Sequence, residues 1–310
     1  MLSRREFLKS VGFGLAGLVL GCGITSGCGK QENNPAMPPV PQGSLQENLD
    51  ALTAKIIAPG SKIIAYSPTN YNPNISRYPS EASIRADLET LACHGFNGIL
   101  TYGCLGTLAS IPRIATETGF STIITGVWDP KNSQELANAI NSLAYSHGYC
   151  IGNEQLGGMY ALDELENAIQ TVRNSTNRPT TTTQQDSWYS DPAVVDLGDF
   201  LLPNAHPWWA NIRQPAPAAD YVVQKYDELK ALANEKIVLM KEAGLPTAGD
   251  PEASEENQKE FFAQLSQRKN LVEVYFAGFE AFDQPWKASL PVEPHWGLCK
   301  SDRSPKLVLQ

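Results

Sequence analysis

Two glutamates carry the chemistry that this sequence advertises. Glu154 ends the segment GYCIGNE and Glu242 ends KIVLMKE, so each carboxylate directly follows an apolar, strand-like run. A charge in such a position is costly unless it has a partner or a task. The two stand 88 positions apart, roughly three βα units of ~30 residues. Two carboxyl groups about 5 Å apart could cleave a glycosidic bond by double displacement, one acting as acid and the other as nucleophile. The same residues taken singly would be solvated or salt-bridged strand-end glutamates.

Elements able to bring the pair together are legible in the pattern. Eight short apolar or β-branched runs alternate with amphipathic helical stretches: KIIAYS, NGILTY, STIITGVW, GYCIGN, RPTTTTQ, FLLPNAH, KIVLMK and LVEVYFAGFE. Alternation of this kind favours parallel pairing. The length of the body suits the ~250 residues of an eight-stranded (β/α)8 TIM barrel. A doubly wound open sheet is the competing architecture, but no GxGxxG follows the first strand.

In a barrel the active site lies beyond the C-terminal strand ends. Candidate substrate-binding residues there are Tyr66, Tyr102, Trp128, Asn153, His206, Trp208, Trp209, Glu280, Asp283, Trp286 and Lys287. All six tryptophans, including Trp188 and Trp296, fall on this expected rim or in the tail behind it. Indole faces suit the apolar faces of sugar rings, so the rim reads as a saccharide cleft, with loop anchoring the lesser alternative for any single Trp.

The first residues read as an address. SRREFLK precedes the uncharged run VGFGLAGLVL and then Gly21-Cys22. Paired arginines, a short apolar stretch and a small residue before a cut make an export signal, too short to span a bilayer. The segment looks like a twin-arginine signal, and VLGC resembles a lipobox that would place lipid on Cys22; Cys28, or cleavage without lipidation, is the alternative. The expected divisions are a signal at 1–21, a Pro/Asn/Gln-rich tether at 22–51 and a barrel at 52–310. The expected location is the periplasm or cell envelope, with membrane contact through the lipid alone.

The chain carries a net charge of −9, and removal of Arg4, Arg5, Glu6 and Lys9 with the signal makes the body more acidic. With no Lys/Arg-rich run, a nucleic-acid partner is excluded. Cys93, Cys104, Cys150 and Cys299 are scattered and the four histidines do not cluster, so buried thiols or at most one bridge are expected, with no metal and no cofactor.

GNE, KEAGLPT, and FEAFDQPWK followed by EPHWGLCKSDRSPK resemble glycoside hydrolase family 17, the β-1,3-glucanases, in its bacterial form. The resemblance runs through the whole body in order. It implies a retaining barrel enzyme acting on β-glucan, with Glu154 as general acid/base and Glu242 as nucleophile. It further implies Asn153 near the sugar 2-hydroxyl and Glu280 with Lys287 as supporting polar residues. The family's ExGWPS and FDEPWK are altered here: Leu245 replaces Trp, Thr247 replaces Ser and Gln284 replaces Glu. These changes put the cleft width in question and remove one charge. Two other readings stand beside hydrolysis: a β-1,3-glucanosyltransferase, and a lipoprotein that binds polysaccharide without cleaving it.

Overall fold

The computed structural model describes residues 43–310; the signal, Cys22 and Cys28 lie outside them. The first described element is helix α1, Leu45–Ile57, opened by a Ser44–Glu47 capping box in which each side chain satisfies the other residue's backbone N–H. The helix begins inside the stretch expected to be tether. Its apolar stripe explains why: Leu52 and Ile56 are buried with Ile63, Ile124, Cys150, Phe200 and Leu239. Asn48 adds a donor to Asn177 O at 2.8 Å, so α1 is seated against the segment that leads into the fifth strand.

Seven strands form one parallel sheet: β1 Ile63–Ala65, β2 Gly98–Leu100, β3 Thr122–Val127, β4 Gly148–Asn153, β5 Thr180–Thr183, β6 Met240–Ala243 and β7 Phe276–Gly278. Their order is β5-β4-β3-β2-β1-β7-β6, each pair parallel. The strands are buried almost throughout, as a parallel sheet covered on both faces requires. Helices α2 Glu81–Cys93, α3 Ile111–Glu117, α4 Ser133–Asn141, α5 Leu162–Thr176, α6 Pro192–Leu197, α7 Pro215–Leu232 and α8 Glu255–Lys269 follow in the connections.

The ring closes between β5 and β6 through residues 200–206, the stretch FLLPNAH expected as a sixth strand. It is no regular strand, yet it hydrogen-bonds on both sides. Asn204 N donates to Gln184 O at 2.9 Å toward β5, while Leu239 N donates to Leu201 O at 2.9 Å and Lys241 N to Pro203 O at 2.8 Å toward β6. Pro203 has no N–H to give, which breaks the ladder and leaves isolated bridges. The architecture is therefore an α/β TIM-barrel fold of seven laddered strands and one irregular stave.

None of the four described cysteines is bridged: Cys104, Cys150 and Cys299 are buried thiols and Cys93 is exposed. Among the described residues no helix is long and apolar enough to cross a membrane.

Candidate active site

Two bulges aim the site. Along β4 and β5, Cys150 faces Thr181 and Asn153 faces Thr183, so three steps on β4 oppose two on its neighbour. Along β6 and β7 the same count holds between Met240↔Phe276 and Ala243↔Gly278. An extra residue resets the alternation of side chains and re-aims those beside it. On an uninterrupted strand Lys241 and Glu242 would point to opposite faces. Here both are 1% exposed, and Lys241 Nζ lies 3.7 Å from Glu242 Oε1.

Glu154 is positioned by a left-handed turn. Its φ is 55°, an uncommon conformation for a residue with a Cβ and one often found at functional sites. Gly152 precedes it with φ 76°, where a Cβ would stand 2.5 Å from the Tyr160 hydroxyl. Glu154 N donates to Thr183 O at 3.0 Å, tying the turn to the end of β5. Its side chain is held by Asn204, whose Nδ2 donates to Glu154 Oε1 at 2.8 Å. Thr183 Oγ1 donates to Asn204 Oδ1 at 3.1 Å, so the amide presents its nitrogen to the carboxylate.

Glu242 is held by polar side chains from two other parts of the ring. Tyr102, just past β2, donates its hydroxyl to Oε1 at 3.0 Å, and His206 Nε2 lies 2.7 Å from Oε2. The His206 ring is fixed edge-on between Phe279 and Trp296, with centroids 5.0 and 5.5 Å away. Lys241 donates to Asn153 Oδ1 and lies 4.3 Å from the centre of the Tyr102 ring.

One oxygen of Glu154, one of Glu242 and a ring nitrogen of His206 all lie within 4.8 Å of one another. Such a trio could be bridged by a cation, but the Lys241 ammonium beside Glu242 already supplies the positive charge and repels a second one. For bond cleavage the spacing is informative: an oxygen of each carboxylate within 4.8 Å of the other lies nearer the ~5–5.5 Å of retaining glycosidases than the ~6.5–9.5 Å that admits a water between inverting carboxylates.

A third carboxylate stands behind this pair. Glu280 is fully buried, and Lys287 donates to its two oxygens at 2.7 and 2.8 Å. Burial pushes the Glu280 carboxyl up to about 7; Lys287 opposes that rise, and the negative charge of Glu242 adds to it.

The expected rim divides. Tyr102, Asn153, Glu154, His206, Glu242, Glu280 and Lys287 converge as described. Trp128 and Trp209 are half-buried, Trp128 with its backbone N–H donating to Glu135 Oε1 and Trp209 tilted against Trp296. Trp286 is also half-buried; its Nε1 donates to Gln284 and its ring meets Tyr71 edge-on.

Three expectations are corrected. Tyr66 is 1% exposed and donates to Asp87 on α2, joining an Asp87–Thr69–Arg303 network outside the cleft, because its strand turns that side chain toward the helices. Trp208 is 5% exposed with the Arg213 guanidinium 4.8 Å from its ring centre, so a sugar has no open face to meet. Asp283 accepts from Lys306 Nζ at 2.7 Å and Gly297 N at 3.0 Å, which makes it an anchor for the C-terminal tail. Trp296 is wholly buried, so the tryptophans do not form a single exposed rim.

Two of the family departures, at Leu245 and Gln284, have structural answers. Leu245 is a core residue at 1% exposure, and buried Gln284 donates to Ser67 O at 2.9 Å while accepting from Trp286, two roles that a carboxylate could not combine. Two site residues escaped sequence reasoning. Asn204 sat in an expected strand as part of PNAH, and Lys241 immediately precedes Glu242; its place at the end of an apolar run was the available signal.

Comparison with known proteins agrees with this geometry. Residues 64–297 match the BtgE/BtgC glycoside hydrolase domain model. The chain belongs to that family and is a glycosidase. A protein of Arthroderma benhamiae named glucan 1,3-beta-glucosidase is 26% identical over 263 residues, 73% of this chain and 83% of its own. The glycoside hydrolase family 17 β-1,3-glucanosyltransferase of Rhizomucor miehei superposes with a TM-score of 0.68 at 25% identity, covering 81% of this chain and 97% of that one. An active-site mutant of it in complex with laminaritriose gives 0.67 at the same identity and coverage.

Proposed function

We propose that this glycosidase hydrolyses β-1,3-glucan with retention of anomeric configuration. The observation that carries the reading is the carboxylate pair within 4.8 Å at the mouth of the barrel. Glu154, as the acid, protonates the glycosidic oxygen while Glu242 attacks the anomeric carbon, forming a glycosyl ester as the C–O bond breaks. Glu154 then takes a proton from water, which attacks the same carbon and releases Glu242 as carboxylate. The substrate class is supported by the relatives named for β-1,3-glucan chemistry and by the laminaritriose-bound neighbour. Tyr102 and His206 hold the nucleophile, and Asn204 holds the acid.

Transfer to a second sugar is the other reading, favoured by the likeness to a β-1,3-glucanosyltransferase. Both reactions share the glycosyl-enzyme and differ in whether water or a bound acceptor resolves it. Product analysis on laminari-oligosaccharides tests the proposal: shorter products support hydrolysis, longer ones support transfer, and binding without products defeats both. The SRREFLK and VLGC motifs support twin-arginine export and lipidation at Cys22, placing the enzyme in the periplasm or cell envelope.

A further inference from the structure

Lys241 is the most deeply placed cation at the site, and the hydrolytic cycle written above assigns it no step. It is 1% exposed, lies 3.7 Å from Glu242 Oε1, donates to Asn153 Oδ1 and stands 4.3 Å from the Tyr102 ring centre. Burying an ammonium is expensive unless its charge is matched. The match here is the nucleophile itself, reached only because the β6 bulge turns two successive side chains inward. Other charged or titratable groups near Glu242 are Tyr102 from the end of β2, His206 from the closing stave, Glu154 after β4, and Glu280 after β7 with its Lys287 partner. Buried Cys150 of β4 lies close enough to feel both Lys241 and Glu242. Among these groups, Lys241 is the cation placed beside the oxygen that also accepts from Tyr102.

We infer that Lys241 is a positioning residue that sets Glu242 as a leaving group, assisting the second half of the double displacement. The inference rests on the retaining reading of the site. A fixed positive charge stabilises free carboxylate relative to the neutral glycosyl ester. In the first step it restrains the nucleophile as its negative charge is consumed. In the second step it favours departure: water forms a bond to the anomeric carbon, Glu154 takes the proton, the ester C–O bond breaks and its electron pair returns to Glu242 beside the ammonium. Lys241 stays protonated throughout and exchanges nothing. A cation at this point therefore trades speed of attack for speed of release, and its removal must shift the slow step toward breakdown of the intermediate.

The test uses the full-length enzyme and an aryl β-laminarioligoside with a dinitrophenol leaving group, for which protonation matters little. Wild type is compared with Lys241→Met, which keeps the stem and removes the charge, and Lys241→Gln, which keeps a donor for Asn153. Both variants are expected to show a pre-steady-state burst of dinitrophenol, with kcat and KM each falling roughly tenfold or more and kcat/KM changing much less. The acidic limb of kcat/KM is expected to move to higher pH, because Glu242 loses a neighbour that favours its ionised form. Mere structural damage would lower kcat/KM without a burst and leave the limb in place; that result in a variant with wild-type melting behaviour overturns the inference. Should Met fail to fold, the Gln variant decides alone by the same readings. A wild type that produces inverted product overturns the retaining reading and this inference with it, whereas a retaining wild type with burst-free variants overturns only the role of Lys241.

Discussion

Asn204 Nδ2 donates to Glu154 Oε1 at 2.8 Å, while the backbone of Asn204 bridges toward Glu242 on one side and Gln185 on the other. The residue that helps to close the barrel thus also orients one carboxylate next to its counterpart. Replacing it by Ala is expected to lower kcat on laminari-oligosaccharides by ~10–100-fold, part of the roughly 10²–10⁴ that general acid catalysis supplies. The loss is expected to shrink on dinitrophenyl glycosides, which need little acid. Equal losses on both substrates would remove Asn204 from the acid's support.

Azide separates the two carboxylates. In Glu154→Ala the anion enters where water was assisted and is expected to resolve the glycosyl-enzyme to a β-azide. In Glu242→Ala it attacks from the vacated nucleophile side and is expected to yield the α-azide. Product configuration by NMR reads the outcome, and the reverse pattern would exchange the two roles.

Glu280 links stability to pH. Its carboxyl is raised to about 7 in the fold against 4.5 for the unperturbed group, so the folded state holds a proton that the unfolded chain has released. The stabilisation is fully present below about pH 4.5 and is lost as pH rises through about 7. In thermal melts across this window, Glu280→Gln is expected to lack this component of the wild-type decline. Parallel curves for the two proteins would refute the assignment.

Trp208 and Trp209 are neighbours with different duties. Trp208→Ala removes a buried ring and is expected to cost about 3–5 kcal/mol of stability, measured by denaturant unfolding. Trp209 is half-exposed, and its replacement by Ala is expected to spare more of the stability while weakening oligosaccharide binding by about 1–3 kcal/mol. If titration calorimetry finds the affinity unchanged, Trp209 serves only to pack against Trp296.

Export is tested at the N-terminus. With Arg4→Lys and Arg5→Lys together, precursor is expected to remain in the cytoplasm, read by fractionation and labelling with a lipid precursor. Normal export and labelling of the double variant would end the twin-arginine reading.

The barrel, its mouth and the two glutamates were legible in the sequence because they depend on local, repeating rules. Apolar runs alternate with helical ones, and a carboxylate after each of two such runs lands at the strand ends whatever the details of packing. Family-specific segments around Glu154, Glu242 and Glu280 carried the same message. What alternation cannot express is a register change. One extra residue in β6 turned Lys241 inward beside Glu242, and nothing in VLMKE marks a bulge. Pro203 broke a stretch that reads as a strand, freeing Asn204 to serve Glu154. The tryptophans likewise share one residue type but not one environment: Arg213 covers Trp208, and the core encloses Trp296. Whether a polar or aromatic side chain faces the cleft depends on partners far away in the chain, and those partners meet only when the ring closes.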